Sequence, residues 1–519
     1  MRLTPRPLTA AEVLAVARDR ERVDVDAGVP AAMAPARAVV EEAVGSERVV
    51  YGVTTGFGAL ADTVVGPEQA AALQHALVRS HAAGYGGGVD DEVVRGMTVL
   101  RARTLASGFS GARPEVVDAM VGLLNSGVQV IVPEHGSLGA SGDLAPMAHV
   151  ALVLTGEGWV RGPDGAARAA GEALAEAGIA PLDLDVKDGL ALLNATEGML
   201  ALLVLAIADL HRLADTADVV CALSVEALLG TDRPFAARLQ ALRPHPGQAR
   251  SAANLARLLA GSGILASHRH SRHAVQDAYS LRCAPQVHGA ARDTLEWAAT
   301  VRDRELASSV DNPVVLADGE ESGARGGGAA AAGGPGLVES TGNFHGQPLG
   351  FALDLLAMGA CELGAISERR TDRLLDPARS HGLPPFLAPE AGINSGFMVA
   401  QYTAASMVAE NRRLAVPAST DSLPTSGMQE DHVSLGWSAG IKLRRAVRNL
   451  TGILAVEALV AAAGVEARAP VQPAEPTAAV VARIRDAVPP MPRDRFLAPD
   501  IAAVAQLVRS GALVEAAGL

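Results

Sequence analysis

The sequence predicts a mainly α-helical protein, with a loop-rich N-terminal region followed by a bundle of long helices. Apolar residues make up 49% of the chain but aromatic residues only 3%, so Ala, Val and Leu must supply most of the core, which favours helices packed on helices. From about residue 190 the helical patterns become long and strongly apolar, as is typical of helices buried on most faces. Before that point, glycine-rich turns separate shorter helical stretches.

These patterns divide the chain into three parts. Residues 1–189 form the N-terminal region with its glycine-rich loop, residues 190–469 a central helical bundle, and residues 470–519 a proline-rich linker with a small C-terminal helical piece. The first part begins with a helical pattern from Thr9, which is placed to cap a helix ahead of Glu12. Further helices are predicted in this part over 68–82, 91–106 and 167–177.

The predicted bundle helices are longer and more apolar than those of the first part. They cover 189–213, 219–229, 289–307, 349–375, 396–414 and 436–463. Residues 319–336 are rich in Gly and Ala and predict a low-complexity surface insertion between two of these helices.

Charge and cysteine content limit the possible functions. The formal net charge of −13 argues against a nucleic-acid or anionic-membrane partner. Cys221, Cys283 and Cys361 are far apart and form no C-x-x-C pair, which argues against a zinc ribbon or a disulfide framework and fits a reducing cytoplasm. The N-terminus lacks the apolar core of a signal peptide, so we expect a soluble cytoplasmic protein.

One stretch, Gly136–Pro146, carries unusual chemistry. In the triplet Ala140-Ser141-Gly142, the side-chain-free Gly142 lets its nitrogen approach the Ala140 carbonyl and close a five-membered ring. Loss of water from Ser141 would then leave a dehydroalanine methylene, which is an electrophile that no ordinary side chain supplies. A flexible glycine loop is the plainer interpretation of the same residues.

The whole stretch resembles the signature of the aromatic amino acid ammonia-lyases, which form 4-methylidene-imidazol-5-one autocatalytically from such a triplet. Other stretches between about residues 40 and 468 are also similar to that family. They are 51–58, 80–84, 189–194, 275–282, 311–313, 342–345, 394–397 and 429–434. The resemblance implies the ammonia-lyase fold, no external cofactor, and a homotetramer in which several subunits build each active site.

The resemblance also implies roles for individual residues. Tyr51 would abstract the β-proton of the substrate, although a half-buried strand tyrosine is the commoner fate of such a residue. Arg282 would clamp the α-carboxylate, which its planar guanidinium suits, and a helix-cap salt bridge is its alternative. Gln276 and Tyr279 lie near Arg282 in sequence and would share its pocket, with Tyr279 as the second candidate base.

Two further residues would surround the electrophile. Asn194 is a polar residue in an apolar helical pattern; by resemblance it orients the electrophilic ring, while a structural hydrogen bond is the alternative. Phe344 would pack against the ring, or else is an ordinary core phenylalanine.

Substrate choice depends on His81 and Glu430, which resemble the histidine-specific branch of the family. A carboxylate is the natural partner of an imidazole ring, whereas a phenyl or phenol ring would give Glu430 no such partner. The expected reaction is elimination of ammonia from L-histidine to give trans-urocanate. A phenylalanine or tyrosine lyase or aminomutase, and a non-catalytic homologue, stay as alternatives.

A few features depart from the family pattern or suggest other sites. Tyr85, Ala195 and Met428 replace residue types common in the family, which bears on substrate preference. A polar loop explains the histidines at 268, 270 and 273 better than a metal site, because they lack zincin spacing and an acidic partner. The glycine-rich run 84–88 follows a helix and lacks Lys-Ser/Thr, so it is not a phosphate-binding loop. We therefore predict no metal site.

Overall fold

The computed structural model describes residues 1–46, 50, 52, 55–56, 65–139, 142–271, 273–317 and 336–519. Of the predicted insertion 319–336, only Gly336 belongs to the described residues. Tyr51, Ala140 and Ser141, three of the predicted site residues, also lie outside them.

The described chain is mainly helical, which confirms the predicted fold class. The α-helices of the N-terminal part are Ala10–Ala17, Val29–Gly45, Pro67–His81, Asp91–Ala106, Pro114–Ser126, Leu144–Leu154, Ala170–Glu176 and Asp188–Leu193. Those that follow are Glu197–Ala227, Ala237–Gln240, Pro246–Leu258, Gly263–Ser267, Tyr279–Arg282, Ala284–Ala307, Gln347–Leu375, Met398–Leu414, Gly436–Glu466, Glu475–Ala487, Ala498–Ser510 and Ala512–Ala516. Short 3-10 helices cover Arg233–Phe235, Pro385–Leu387 and Ser426–Met428.

The strands are short and pair in small sheets. Arg2–Leu3 pairs in parallel with Asp24–Val25. The antiparallel pairs are Tyr85–Gly88 with Pro133–His135, Gln129–Val130 with Trp159–Arg161, Trp159–Arg161 with Ala167–Ala169, and Val314–Leu316 with Leu337–Glu339.

Several local predictions are confirmed and two are wrong. The Thr9 side chain accepts a hydrogen bond from the Glu12 backbone while the Glu12 side chain bonds back, which is the capping box expected there. Residues 167–177 are not one helix, because Ala167–Ala169 pairs as a strand before the helix begins at Ala170. The helix predicted over 189–213 is broken at 194–196, and its second part continues to Ala227.

The chain forms two compact units. The first contains Met1–Leu205, Thr300–Ala352 and Ala418–Ile441; the second contains Ala206–Ala299, Leu353–Pro417 and Lys442–Leu519. Each unit draws on separate stretches of sequence. The three-part division by residue range stays a prediction.

Within the described residues, two helices are long and apolar enough to cross a membrane by length and composition, Gln347–Leu375 and Gly436–Glu466. In their most apolar windows, 67% and 83% of the residues are buried inside the structure. This burial is typical of core helices in a bundle.

Candidate active site

The backbone at Gly142 lies directly against Ala195. Gly142 has a left-handed φ of +81°, and a Cβ added there would lie 1.7 Å from the Ala195 carbonyl oxygen. The next backbone N–H, that of Asp143, donates a hydrogen bond to the same carbonyl. Gly142 also forms a bridge with Gly139. Since a side chain has no room here, only glycine fits this end of the predicted electrophile triplet.

The other side of this loop is fixed by the segment that starts helix Gly436–Glu466. The Leu435 N–H donates to the Leu138 carbonyl over 2.8 Å. The indole N–H of Trp437, a residue only 1% exposed, donates to the Glu134 carbonyl over 2.8 Å. The loop is therefore held by main-chain contacts on two sides.

Asp143 is a buried carboxyl group that the sequence analysis left without a role. Its side chain accepts a hydrogen bond of 2.8 Å from the Met199 N–H, in the first turn of helix Glu197–Ala227. Burial raises the pKa of Asp143 to about 7, and the nearby charge of Glu197 acts in the same direction against the hydrogen bonds from the backbone and Ser137. Asp143 directly follows the reactive triplet, and this position is the sequence signal that could have indicated it as a site residue.

Asn194 lies in the break between two helices, so it is not the mid-helix residue the sequence pattern predicted. Helix Asp188–Leu193 ends just before it, and its side-chain amide donates to the Asn312 carbonyl over 2.5 Å. The Asn312 side chain accepts hydrogen bonds from the Thr341 N–H and the Ser340 hydroxyl. The structural hydrogen bond considered for Asn194 is therefore present, beside the Ala195 carbonyl that contacts the Gly142 loop.

A buried group of charges supports this break. Arg101 is fully buried and donates to the carbonyls of Ala191 and Val310, each over 2.7 Å, and to Glu197 over 3.1 Å. Lys187, also fully buried, pairs with Asp311 over 2.9 Å. These partners are far apart in sequence and follow no helical spacing, so sequence reasoning did not find them.

His81 and Glu430 both belong to the first unit, and the charge of Glu430 acts on the His81 ring. The His81 Nδ1 atom lies 2.9 Å from the Leu77 carbonyl oxygen and 3.0 Å from the Ser80 hydroxyl. A carbonyl oxygen can only accept, so a proton on Nδ1 suits this position. Burial lowers the pKa of His81, while the Leu77 carbonyl and the Glu430 charge partly oppose this shift. Glu430 is half-buried and accepts a hydrogen bond from the Thr425 hydroxyl over 2.8 Å.

Phe344 lies half-buried in the turn before helix Gln347–Leu375. The adjacent His345 stacks on His432, with ring centroids 5.8 Å apart and an interplanar angle of 9°. His345 Nε2 also lies 3.2 Å from the His432 carbonyl oxygen. This contact places the turn containing Phe344 against the segment containing Glu430.

The remaining predicted site residues belong to the second unit. Tyr279 and Arg282 lie in one short helix, with the guanidinium carbon 4.6 Å from the centre of the tyrosine ring. Tyr279 is 71% exposed, and Gln276 is also exposed. The buried Nε of Arg282 has no hydrogen-bond partner in the part of the chain that the structure describes. The helix-cap salt bridge considered for Arg282 is likewise absent from the ion pairs of the described residues.

The histidine-rich loop of the second unit makes local contacts. His268 and His273 pack edge to face with centroids 5.2 Å apart. Both ring nitrogens of His268 face main-chain carbonyls, those of Ile264 and Gly230. These contacts engage both ring nitrogens of His268, which a metal ion would need as ligands, as expected for a polar loop.

The chain belongs to the aromatic amino acid lyase family, whose sequence model matches residues 8–486. The backbone cradle at Gly142, His81 and Glu430 all lie within the matched residues. Among its relatives, histidine ammonia-lyase of Streptomyces griseus is 56% identical, with alignment over 98% of this chain and 96% of that protein. The crystal structure of histidine ammonia-lyase from Trypanosoma cruzi is similar with a TM-score of 0.88 and 38% identity, over 100% of this chain and 95% of that one. Tyrosine aminomutase from Streptomyces globisporus is similar with a TM-score of 0.89 and 37% identity, over 99% and 98%.

Proposed function

We propose that this chain is a histidine ammonia-lyase, a carbon–nitrogen lyase that converts L-histidine to trans-urocanate and ammonia. The observation that carries the assignment is the 56% identity to histidine ammonia-lyase of Streptomyces griseus over 98% of this chain. Glu430 and His81 support the imidazole substrate, since both belong to the first unit and the charge of Glu430 acts on the His81 ring. A carboxylate accepts the N–H of an imidazole ring, and a phenyl ring has no such donor. The curated relatives at 46–56% identity bear the same name.

We infer that Ala140, Ser141 and Gly142 form the methylidene-imidazolone without an external cofactor. The left-handed backbone of Gly142 and the absence of space for a Cβ beside Ala195 fit a residue that takes part through its backbone alone. The group supplies an electrophile for the substrate amine. Asn194, beside the Ala195 contact, would orient it, and Phe344 would pack against it.

The other residues then have separate tasks. Tyr51 accepts the β-proton, because removal of this weakly acidic proton requires a base within hydrogen-bond reach. Arg282 binds the α-carboxylate, and its buried Nε without a partner in the described chain supports a ligand at this position. Gln276 and Tyr279 complete the same pocket.

We propose a homotetramer with shared active sites, located in the cytoplasm. Two groups assigned to the substrate pocket, Gln276 and Tyr279, are exposed in the single chain, as expected for residues whose surroundings another subunit completes. Cys221, Cys283 and Cys361 are free thiols, which fits a reducing compartment.

A tyrosine- or phenylalanine-specific lyase or aminomutase is the second candidate, favoured by the equally similar tyrosine aminomutase structure. A non-catalytic homologue is less consistent with the chain, because a scaffold has no use for Tyr51, Arg282 and an intact triplet. His81 and Glu430 together favour the imidazole substrate.

Ultraviolet detection of urocanate from L-histidine tests the activity, with L-tyrosine and L-phenylalanine as parallel substrates. We expect turnover of L-histidine and little of the others; comparable rates on all three would favour the second candidate. Intact mass should show the loss of two waters relative to the translated sequence, and Ser141→Ala should abolish this deficit together with activity. A full-length mass in active enzyme would contradict the electrophile.

A further inference from the structure

The turn that carries Glu430 is closed by contacts between its two ends. The Thr425 N–H donates to the Glu430 carbonyl over 2.9 Å, and the Glu430 N–H donates to the Thr425 carbonyl over 3.3 Å. The side chains of the same two residues also meet, because the Thr425 hydroxyl donates to Glu430 Oε2 over 2.8 Å. Three hydrogen bonds therefore connect Thr425 and Glu430.

Between these ends the backbone is strained. Ser426, Gly427 and Met428 have consecutive left-handed φ values of +50°, +60° and +74°. Two of the three carry a side chain, for which this region is unfavourable. Such strain persists where the surrounding structure enforces it, and it is concentrated at functional sites.

The tip of the turn has little side-chain packing to enforce this shape. Residues 427–429 are exposed, and Met428 is 67% exposed. At the base of the turn, Thr425 holds both the backbone and the carboxylate of Glu430.

We propose that Thr425 is a positioning residue that orients the Glu430 carboxylate to receive the imidazole ring of the substrate; this inference rests on the proposed function. A carboxylate has two oxygens, and its terminal torsion is broad and poorly fixed by rotamer preference. The Thr425 hydroxyl ties Oε2, and within the described residues Oε1 is the oxygen left for the ligand. The Nδ1 atom of His81 is likewise engaged locally, by the Leu77 carbonyl and the Ser80 hydroxyl.

Substitutions at Thr425 separate this role from a general structural one. Thr425→Val removes the hydroxyl but keeps the β-branched shape and both backbone contacts, whereas Thr425→Ser keeps the hydroxyl. We expect Thr425→Val to raise KM for L-histidine roughly tenfold, the effect of losing a hydrogen bond to a charged group, with a smaller change in kcat. Thr425→Ser should restore KM to near the wild-type value, and the melting temperature should be almost unchanged in both variants.

A double-mutant cycle tests whether Thr425 acts through Glu430. In a Glu430→Ala background, Thr425→Val should have no further effect on KM. An equal rise in KM in both backgrounds, or an unchanged KM in Thr425→Val alone, would overturn the proposal. If Thr425→Val does not fold, Thr425→Ala replaces it as the variant without the hydroxyl: a raised KM with an intact fold supports the role, and a wild-type KM contradicts it.

A crystal structure of Thr425→Val keeps this question separate from that of the substrate. If wild type does not turn over L-histidine, the proposed function fails, and the positioning role is then judged by the carboxylate alone. A reoriented or disordered Glu430 carboxylate in the variant supports the role of Thr425. A carboxylate in its original orientation refutes it.

Discussion

The carbonyl oxygen of Ala195 accepts a hydrogen bond from the Asp143 N–H and leaves no room for a side chain on Gly142. This single carbonyl connects the glycine loop to the helix break that contains Asn194. The contact is between backbones, so the sequence requirement falls on glycine at 142, whereas many residue types would supply the carbonyl. This contact explains why the loop needs a residue without a side chain where its backbone approaches the Ala195 carbonyl.

Gly142→Ala should therefore destabilise the protein and prevent formation of the electrophile. Its Cβ would lie 1.7 Å from the Ala195 oxygen, so the loop must move. Gly165→Ala is a matched control, because Gly165 has a nearly equal φ of +83° but nothing within 4 Å of its Cβ position. The Gly165→Ala control should lose only about 1–2 kcal/mol of stability, which is the cost of a left-handed backbone conformation for a residue with a Cβ. Intact mass and melting temperature measure both effects; a retained two-water deficit in Gly142→Ala would contradict the cradle.

Arg101→Met should strongly destabilise the fold. The change leaves Glu197 and Asp311 buried beside an apolar side chain, and removing one partner of a buried charge pair typically costs about 3–5 kcal/mol. Arg79→Met is the control, because the Arg79–Glu157 pair is exposed and should contribute little. Denaturant unfolding compares the two variants. Equal stabilities would show that the buried group does not support the break at 194–196.

Tyr51→Phe should lower turnover by roughly 10²–10⁴-fold, the usual contribution of a general base, while the two-water mass deficit remains. Loss of one hydroxyl should change stability by only about 0.5–1.5 kcal/mol. Tyr279→Phe serves as the comparison, since this tyrosine packs on Arg282. Near wild-type turnover in Tyr51→Phe would transfer the role of base to Tyr279, and loss of the fold would indicate a structural tyrosine.

Local patterns predicted local structure well. The capping box at Thr9 and the helix Asp91–Ala106 involve residues three or four apart, and their signals are complete within one window of sequence. The break at 194–196 escaped the pattern because apolar helical stretches lie on both sides of it, and three residues without Gly or Pro carry no strong stop signal. What interrupts the helix is the contact of Ala195 with Gly142, more than fifty residues away.

The same distinction between local patterns and long-range contacts applies to the candidate site. Reactive residue types in a long family motif are visible in the sequence, so the triplet, Arg282 and Glu430 could be proposed from it. Residues whose role depends on contacts in the folded chain could not be proposed from the sequence. Asp143 and Thr425 have ordinary residue types, and their importance follows from burial and from a strained turn, which appear only after folding. The assigned roles of the site residues stay predictions until variants are measured.

The pKa of Asp143 predicts a specific pH dependence of stability. Its carboxyl has a pKa of about 7 in the folded protein against 3.8 for the unperturbed group, so between these values the folded state holds a proton that the unfolded state has lost. The free energy of unfolding contributed by Asp143 therefore decreases as pH rises from about 4 to about 7. Asp143→Asn cannot ionise, and its amide oxygen can still accept from Met199. Denaturant unfolding of both proteins across this window, plotted as a difference, isolates the contribution of this group. We expect wild type to lose stability relative to Asp143→Asn with rising pH.

A difference in stability that is flat across this window, or that has the opposite slope, would mean that Asp143 is ionised in the folded protein. The N–H groups at the start of helix Glu197–Ala227 would then hold the charged carboxylate.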